Sequence, residues 1–286
     1  MHRIYGIIPL LLIISQLTNA KEPECGQFKE EQVLKQDDYA IPTEHQWLAR
    51  ITYVNGSKVE NTGCLGALIS KRNVLAPAHC FVRHNGQAEA YGVQLGVWNK
   101  SRNAYEVSCE SDGYCVLPPQ EIKLAEIAIH PEYDALTLKN SLAVLTLLRD
   151  AKFTPNVMPI CMPPPDLAEK SLVSQIFMLA GLRTNKELKH KTWVNTISRS
   201  LCQNSAKSLV TSKNTVCGYQ EQSETYYPGA ALVGIQVRND VPQNYYLVGL
   251  LHDWTRVDNR VLSSFLNIQP YMNFIRLNSD SLIVRS

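Results

Sequence analysis

Nowhere in the 286 residues is there an uninterrupted apolar run of the roughly 20 residues that a membrane helix needs, so no transmembrane anchor is expected. Net charge is nearly absent as well. The formal value is +2, and no run of lysines and arginines could track a phosphate backbone, which argues against nucleic acid as a partner. The sequence lacks a Cys-x-x-Cys pair or a Cys/His cluster of zinc-type spacing, so neither a metal centre nor a cofactor is expected. Short repeats and low-complexity tracts are missing too. Glycine is scarce: 14 residues, about 5% where ~7% is usual.

What is present begins with Arg3, an apolar run from Ile7 to Ile14, and the small residues Thr18 and Ala20. Together they give residues 1–20 the form of a secretory signal peptide, so a secreted, extracellular protein is expected. In that oxidising setting the eight cysteines read as a disulfide framework, with on the order of a hundred connectivities open. Two sequons, Asn55-Gly56-Ser57 and Asn99-Lys100-Ser101, offer Asn55 and Asn99 as glycosylation sites. Residues 21–37 are charged around Cys25 and read as a leader segment tethered by a disulfide.

From there the chain alternates short apolar or alternating runs with turn residues, and shows little helical periodicity. Strands are expected over 47–53, 65–70, 93–98, 122–129, 142–148, 173–180, 229–237, 245–251 and 261–268. This is an all-β pattern, long enough for one large β domain or two coupled barrels. A helix is expected from Pro270, because proline suits a first helical position and Tyr271, Phe274 and Ile275 share one face.

Leu65-Gly66-Ala67-Leu68-Ile69-Ser70, Leu75-Ala76-Pro77-Ala78-His79-Cys80, Val93-Gln94-Leu95-Gly96, His130-Pro131-Glu132-Tyr133 and the stretch 265–275 resemble, in order and spacing, the chymotrypsin-like (S1) serine proteases. The loop Cys109 to Cys115 followed by Pro118-Pro119-Gln120 is similar to the arthropod clip-domain proteases of the Toll and prophenoloxidase cascades, although no clip module is visible. The resemblance implies two six-stranded Greek-key β-barrels with a C-terminal helix, and a peptidase S1-like domain over 38–286. It also implies the pairings Cys25 with Cys161, Cys64 with Cys80, Cys109 with Cys115, and Cys202 with Cys217. The disulfide that braces the family's specificity pocket has no cysteines here, and Glu224 stands at its first position.

The chemistry of that family needs a serine nucleophile, a histidine base, an aspartate that orients the histidine, and backbone N–H donors for the oxyanion. By the same resemblance only His79 is kept. Ser141 stands at the aspartate position, and Pro228 stands at the serine, within Tyr226-Tyr227-Pro228-Gly229. Proline supplies neither a nucleophile nor an N–H, and Tyr226 adds bulk where a glycine should let backbone approach the substrate. The activation position holds Leu34-Lys35-Gln36-Asp37, its partner aspartate has become Tyr227, and the base of the specificity pocket falls at Gln222. His79 is therefore read as vestigial. The tyrosines 226–227 and 245–246 read as strand packing, with an aromatic binding surface as the alternative. Glu110-Ser111-Asp112-Gly113 reads as a solvated hairpin tip, with a calcium site as the alternative.

The function expected from this resemblance is a secreted, non-catalytic serine protease homologue acting as a binding cofactor, adaptor or decoy in an extracellular protease cascade of innate immunity or signalling. Its expected partners are active proteases, zymogens, serpins or their substrates. Two other classes stay open: an extracellular adhesive or structural binding protein, and a residual serine-type endopeptidase with a rearranged site.

Overall fold

The computed structural model describes residues 25–33, 38–60, 63–82, 89–101, 107–109, 115–221, 224–280 and 282. The N-terminal half builds β1 (Leu48–Asn55), β2 (Lys58–Glu60), β3 (Leu65–Leu68), β4 (Asn73–Ala76) and β5 (Glu89–Leu95), then the small hairpin of β6 (Ser108–Cys109) and β7 (Cys115–Val116), then β8 (Gln120–Ile129) and β9 (Ala143–Leu147). Pairing runs β2-β1-β3-β4-β9-β8-β5, and β5 returns to pair with β1. Six strands thus close on themselves, with β2 as an appended hairpin arm. The C-terminal half builds β10 (Ile176–Leu182), β11 (Lys189–Ile197), β12 (Thr215–Gln220), β13 (Ala231–Arg238), β14 (Val241–Val257) and β15 (Arg260–Asn267), closed in the order β10-β11-β12-β15-β14-β13. The expected pair of six-stranded barrels is what the chain forms.

Turn chemistry fixes the long strands. Arg238 pairs with Val241 across Asn239-Asp240, whose φ angles of 49° and 63° give the primed two-residue turn that suits strand twist. The β14 to β15 hairpin turns at Asp258-Asn259, where Asp258 alone of the two has a positive φ, 52°. Burial then separates the two faces of β8: Ile122 is buried while Glu121 and Lys123 are exposed. Helices are few and short: α1 (Glu30–Val33), α2 (Arg199–Ser205) and α3 (Met272–Leu277). The helix expected from Pro270 is α3 with a preceding 3-10 turn, and Tyr271 and Ile275 are buried as expected. No described helix is long and apolar enough to cross a membrane.

Three of the implied disulfides form, Cys25–Cys161, Cys64–Cys80 and Cys202–Cys217. Cys115 is disulfide-bonded too, and it faces Cys109 in the β6–β7 register. Cys25–Cys161 encloses the whole first barrel in a loop of sequence separation 136 and fastens the N-terminal segment to the connection between barrels. Backbone bonds reinforce it, Gly26 N–H to Pro159 O at 2.7 Å and Tyr245 N–H to Gly26 O at 2.8 Å. Replacing both cysteines by serine should lower the unfolding free energy by about 4 kcal/mol, since a loop this long gives the cross-link a large hold on the unfolded chain. Urea titration of the double variant checks this.

Candidate functional site

His79 sits in the single 3-10 turn that follows β4, immediately before Cys80, whose bridge to Cys64 holds the turn against the strand leading into β3. Ser141, fully buried, accepts a hydrogen bond from the His79 backbone N–H at 3.1 Å, and its Oγ lies 3.1 Å from His79 Nδ1. The same hydroxyl bonds Tyr133. A serine in this place orients the imidazole but carries no charge to stabilise an imidazolium. Burial pushes the His79 pKa down to about 4, and the more remote Asp253 opposes this only in part. At neutral pH the ring is therefore uncharged and weakly basic.

A second imidazole lies beside it. His252 has ring centre 5.3 Å from that of His79, with the planes tilted by 44°. It arrives there because β14 is bulged: Leu251 pairs with Phe265 and Asp253 with Ser264, which leaves His252 as the extra residue. Such bulges re-aim a side chain. His252 is buried, and its Nε2 has no hydrogen-bond partner. Burial first, then repulsion from His79, brings its pKa to about 3.

The segment Tyr226-Tyr227-Pro228-Gly229 closes the group. Gly229 N–H donates to Leu251 O at 2.7 Å and Leu65 N–H donates to Pro228 O at 2.8 Å, so this backbone lies between β3 and the strand that carries His252. Glycine at 229 is required by two facts, φ of 86° and a Cβ position only 1.9 Å from Leu65 O. Pro228 itself offers no N–H. Tyr226 departs from the sequence expectation: its ring does not project as bulk into a cleft but is buried, 1% exposed. Tyr227 N–H donates to Leu182 O at 3.1 Å, and the Tyr227 ring packs on Gly63. Tyr245 and Tyr246 are buried as well, which settles three of these four tyrosines as packing.

What draws Tyr226 inward is Arg183, directly after β10 and 1% exposed. Its guanidinium donates to Tyr226 Oη at 3.1 Å, to Glu224 Oε2 at 2.8 Å and to Asp38 Oδ2 at 3.3 Å. Lys186 and His190 approach the same two carboxylates, at 3.4 Å and 3.6 Å. Lys100 reaches over from the first barrel to donate to the carbonyls of Arg183 and Thr184 at 3.0 and 2.9 Å. Glu224, placed by sequence at a missing pocket cysteine, is therefore an anchor for a buried cation.

Stability should depend on pH through the imidazole pair. Unfolded, each ring takes up a proton near 6.5; folded, His79 does so at about 4 and His252 at about 3. Between those limits the unfolded chain holds more protons, so stability rises with pH. Acidification from pH 7 to pH 4 should remove on the order of 3 kcal/mol for each ring, roughly 6 kcal/mol for the pair. Urea midpoints measured across that range check it, and His252→Gln should flatten the dependence.

Sequence reading placed His79, Ser141 and Pro228, and the structure brings their surroundings together. It missed His252 and Arg183. The one signal for His252 was a histidine interrupting the apolar run of β14; for Arg183 it was an arginine directly abutting an apolar strand. Asn99 is half-buried, with its Oδ1 accepting from Ser101 N–H at 3.0 Å. Residues 1–20, Leu34 to Asp37, Gln222, Glu110 to Gly113 and the Asn55 side chain lie outside the described residues. Among the described residues, no group of three His, Cys, Asp or Glu side chains converges as it would around a metal ion.

The profile of a family described as Trypsin matches residues 36–229. CLIP domain-containing serine protease B9 of Anopheles gambiae is 26% identical, over 93% of this chain and 68% of that protein. Phenoloxidase-activating factor 3 of Holotrichia diomphalia is 33% identical over 55% of this chain and 44% of its own length. In three dimensions the chain is similar to the crystal structure of the Drosophila Grass clip serine protease of the Toll pathway, with a TM-score of 0.73 at 20% identity, covering 90% of this chain and 74% of that one.

Proposed function

This chain belongs to the trypsin family, and from that premise we propose that it is a secreted protease homologue that binds rather than cuts, acting as a cofactor, adaptor or decoy in an extracellular protease cascade. One observation carries the reading. The segment that should present the nucleophile holds Pro228, with no nucleophile and no N–H, and its neighbour Tyr226 is fixed inside the protein by Arg183. Ser141 beside a neutral His79 supports it, since an uncharged hydroxyl leaves any developing imidazolium unstabilised.

The same network bears on activation. By resemblance, active members of the family order this region through a freed N-terminal amine paired with an aspartate beside the serine. Here Arg183 supplies a permanent internal cation, shared by Asp38 and Glu224, so the binding-competent form needs no cleavage. The immune-cascade setting rests on relatives whose names are those of a CLIP-domain protease and a phenoloxidase-activating factor. Signal-peptide form and disulfides support secretion. The purified secreted chain, challenged with a fluorophosphonate and with peptide substrates, tests the reading: any labelling or turnover overturns it.

A further inference from the structure

Two adjoining depressions, about 770 and 610 Å³, open on the second barrel and share Arg199, Ser200 and Lys213. Neither is lined by His79, Ser141, Pro228 or His252. The larger has an apolar floor of Leu167, Leu172, Val173, Ile197 and Val216. Its rim carries Lys170, Arg199 and Lys213, and the smaller depression adds Lys139. No aspartate or glutamate lines either one.

The cations differ in how free they are. Lys170 is engaged by Asp166 at 2.6 Å, and Lys139 lies within the field of Asp134. Arg199 and Lys213 are exposed, with no carboxylate in ion-pair reach among the described residues. Arg199 is also held in place: its Nη1 donates to Ser212 O at 3.1 Å. Beneath it, the Cys202–Cys217 bridge ties α2 to β12 and keeps the groove from deforming. Positions 139, 170, 199 and 213 come from four separate segments, which is why the sequence shows no basic run.

We propose that this groove docks an extended acidic segment of a partner protein in which apolar side chains alternate with carboxylates. Charge complementarity calls for an anion, and an apolar floor that opens to solvent at Val173 beneath a basic rim calls for side chains that a polyanion alone lacks. A sulfated glycan would match the rim and leave the floor empty. The proposal stands apart from the fate of the cleft and holds whether or not the protein cuts.

The test uses the full secreted chain and a short fluorescent synthetic peptide in which glutamates alternate with leucine and phenylalanine. Saturable binding is expected, weakening as salt rises. Arg199→Glu with Lys213→Glu should weaken it at least ~10-fold, and Val173→Asn should weaken it severalfold while leaving the salt dependence in place. All three positions are exposed, so unchanged thermal melting of the variants confirms that the fold is kept. The proposal is overturned by absence of saturable binding, by equal affinity for a peptide whose apolar residues are replaced with serine, or by a heparin-type oligosaccharide that binds more tightly than the peptide.

Discussion

Neutralising Asp38 and Glu224 together, by Asp38→Asn and Glu224→Gln, should lower the unfolding free energy by about 3 kcal/mol, more than Arg183→Met does. The reason is an asymmetry of burial. Arg183 is 1% exposed, whereas the side chains of Asp38 and Glu224 are 47% and 26% exposed. Once the carboxylates lose their charge, the guanidinium remains as a buried cation that cannot shed its proton. The amide oxygens at 38 and 224 can still accept from it, and it keeps the Tyr226 hydroxyl and ring, 4.9 Å from the guanidinium carbon, but none of these groups carries the compensating charge. Removal of the arginine is milder. Asp38 then turns to water, Glu224 keeps Lys186, and the main loss is an unpaired Tyr226 hydroxyl, about 2 kcal/mol. Urea titration of both variants gives the order directly. If Arg183→Met proved the worse, the interior cation would not be the costly element and the internal anchor would lose its basis.

Residue by residue, legibility followed how local the determinants were. Most of the strands were readable because their apolar residues are buried along short runs, as in β1, β9 and β13. β11 was not, because Lys189-His190-Lys191 reads as a solvated turn. Tertiary contacts override that reading: Lys191 Nζ donates to Glu44 Oε1 at 2.6 Å and to Gln32 O at 2.9 Å, while Lys189 Nζ donates to Pro42 and Glu44 carbonyls. Burial even brings the Lys189 pKa to about 7. α2 escaped notice for a different reason. At seven residues it has no amphipathic period to read and is held by its Ser198 cap and the Cys202 bridge.

The site divides in the same way. Ser141 and Pro228 were visible because a motif fixes their positions, and Tyr226 was visible as a substitution. The direction of the Tyr226 ring was not, since nothing near it in sequence announces Arg183, 43 positions away. His252 depended on a bulge, a property of the β14–β15 register and not of residue type. A chain can thus declare which groups it has lost while concealing what replaced them.

Those replacements decide how far catalysis could be rebuilt. The wild-type chain should show neither fluorophosphonate labelling nor peptide turnover, and Ser141→Asp alone should change that in no way, because no nucleophile exists to be activated. Its effect should be seen elsewhere: a buried carboxylate against His79 Nδ1 raises the His79 pKa from about 4 toward the ordinary value, which proton NMR titration can follow. Pro228→Ser alone should remain about 10⁴ below the double variant, by analogy with the carboxylate's role in trypsin-type enzymes. Even the double variant should stay ~10²–10³ short of an ordinary serine protease. Pro228→Ser returns one backbone N–H, but the segment before it is still pinned by Tyr226 on Arg183. Adding Tyr226→Gly to the pair should then recover part of that remaining factor while lowering stability, because it removes a buried ring and leaves Arg183 a hydroxyl short. Labelling of the wild type would mean that another nucleophile serves and would overturn the non-catalytic reading, whereas full activity in the double variant would mean that the Tyr226–Arg183 anchor does not block the oxyanion site.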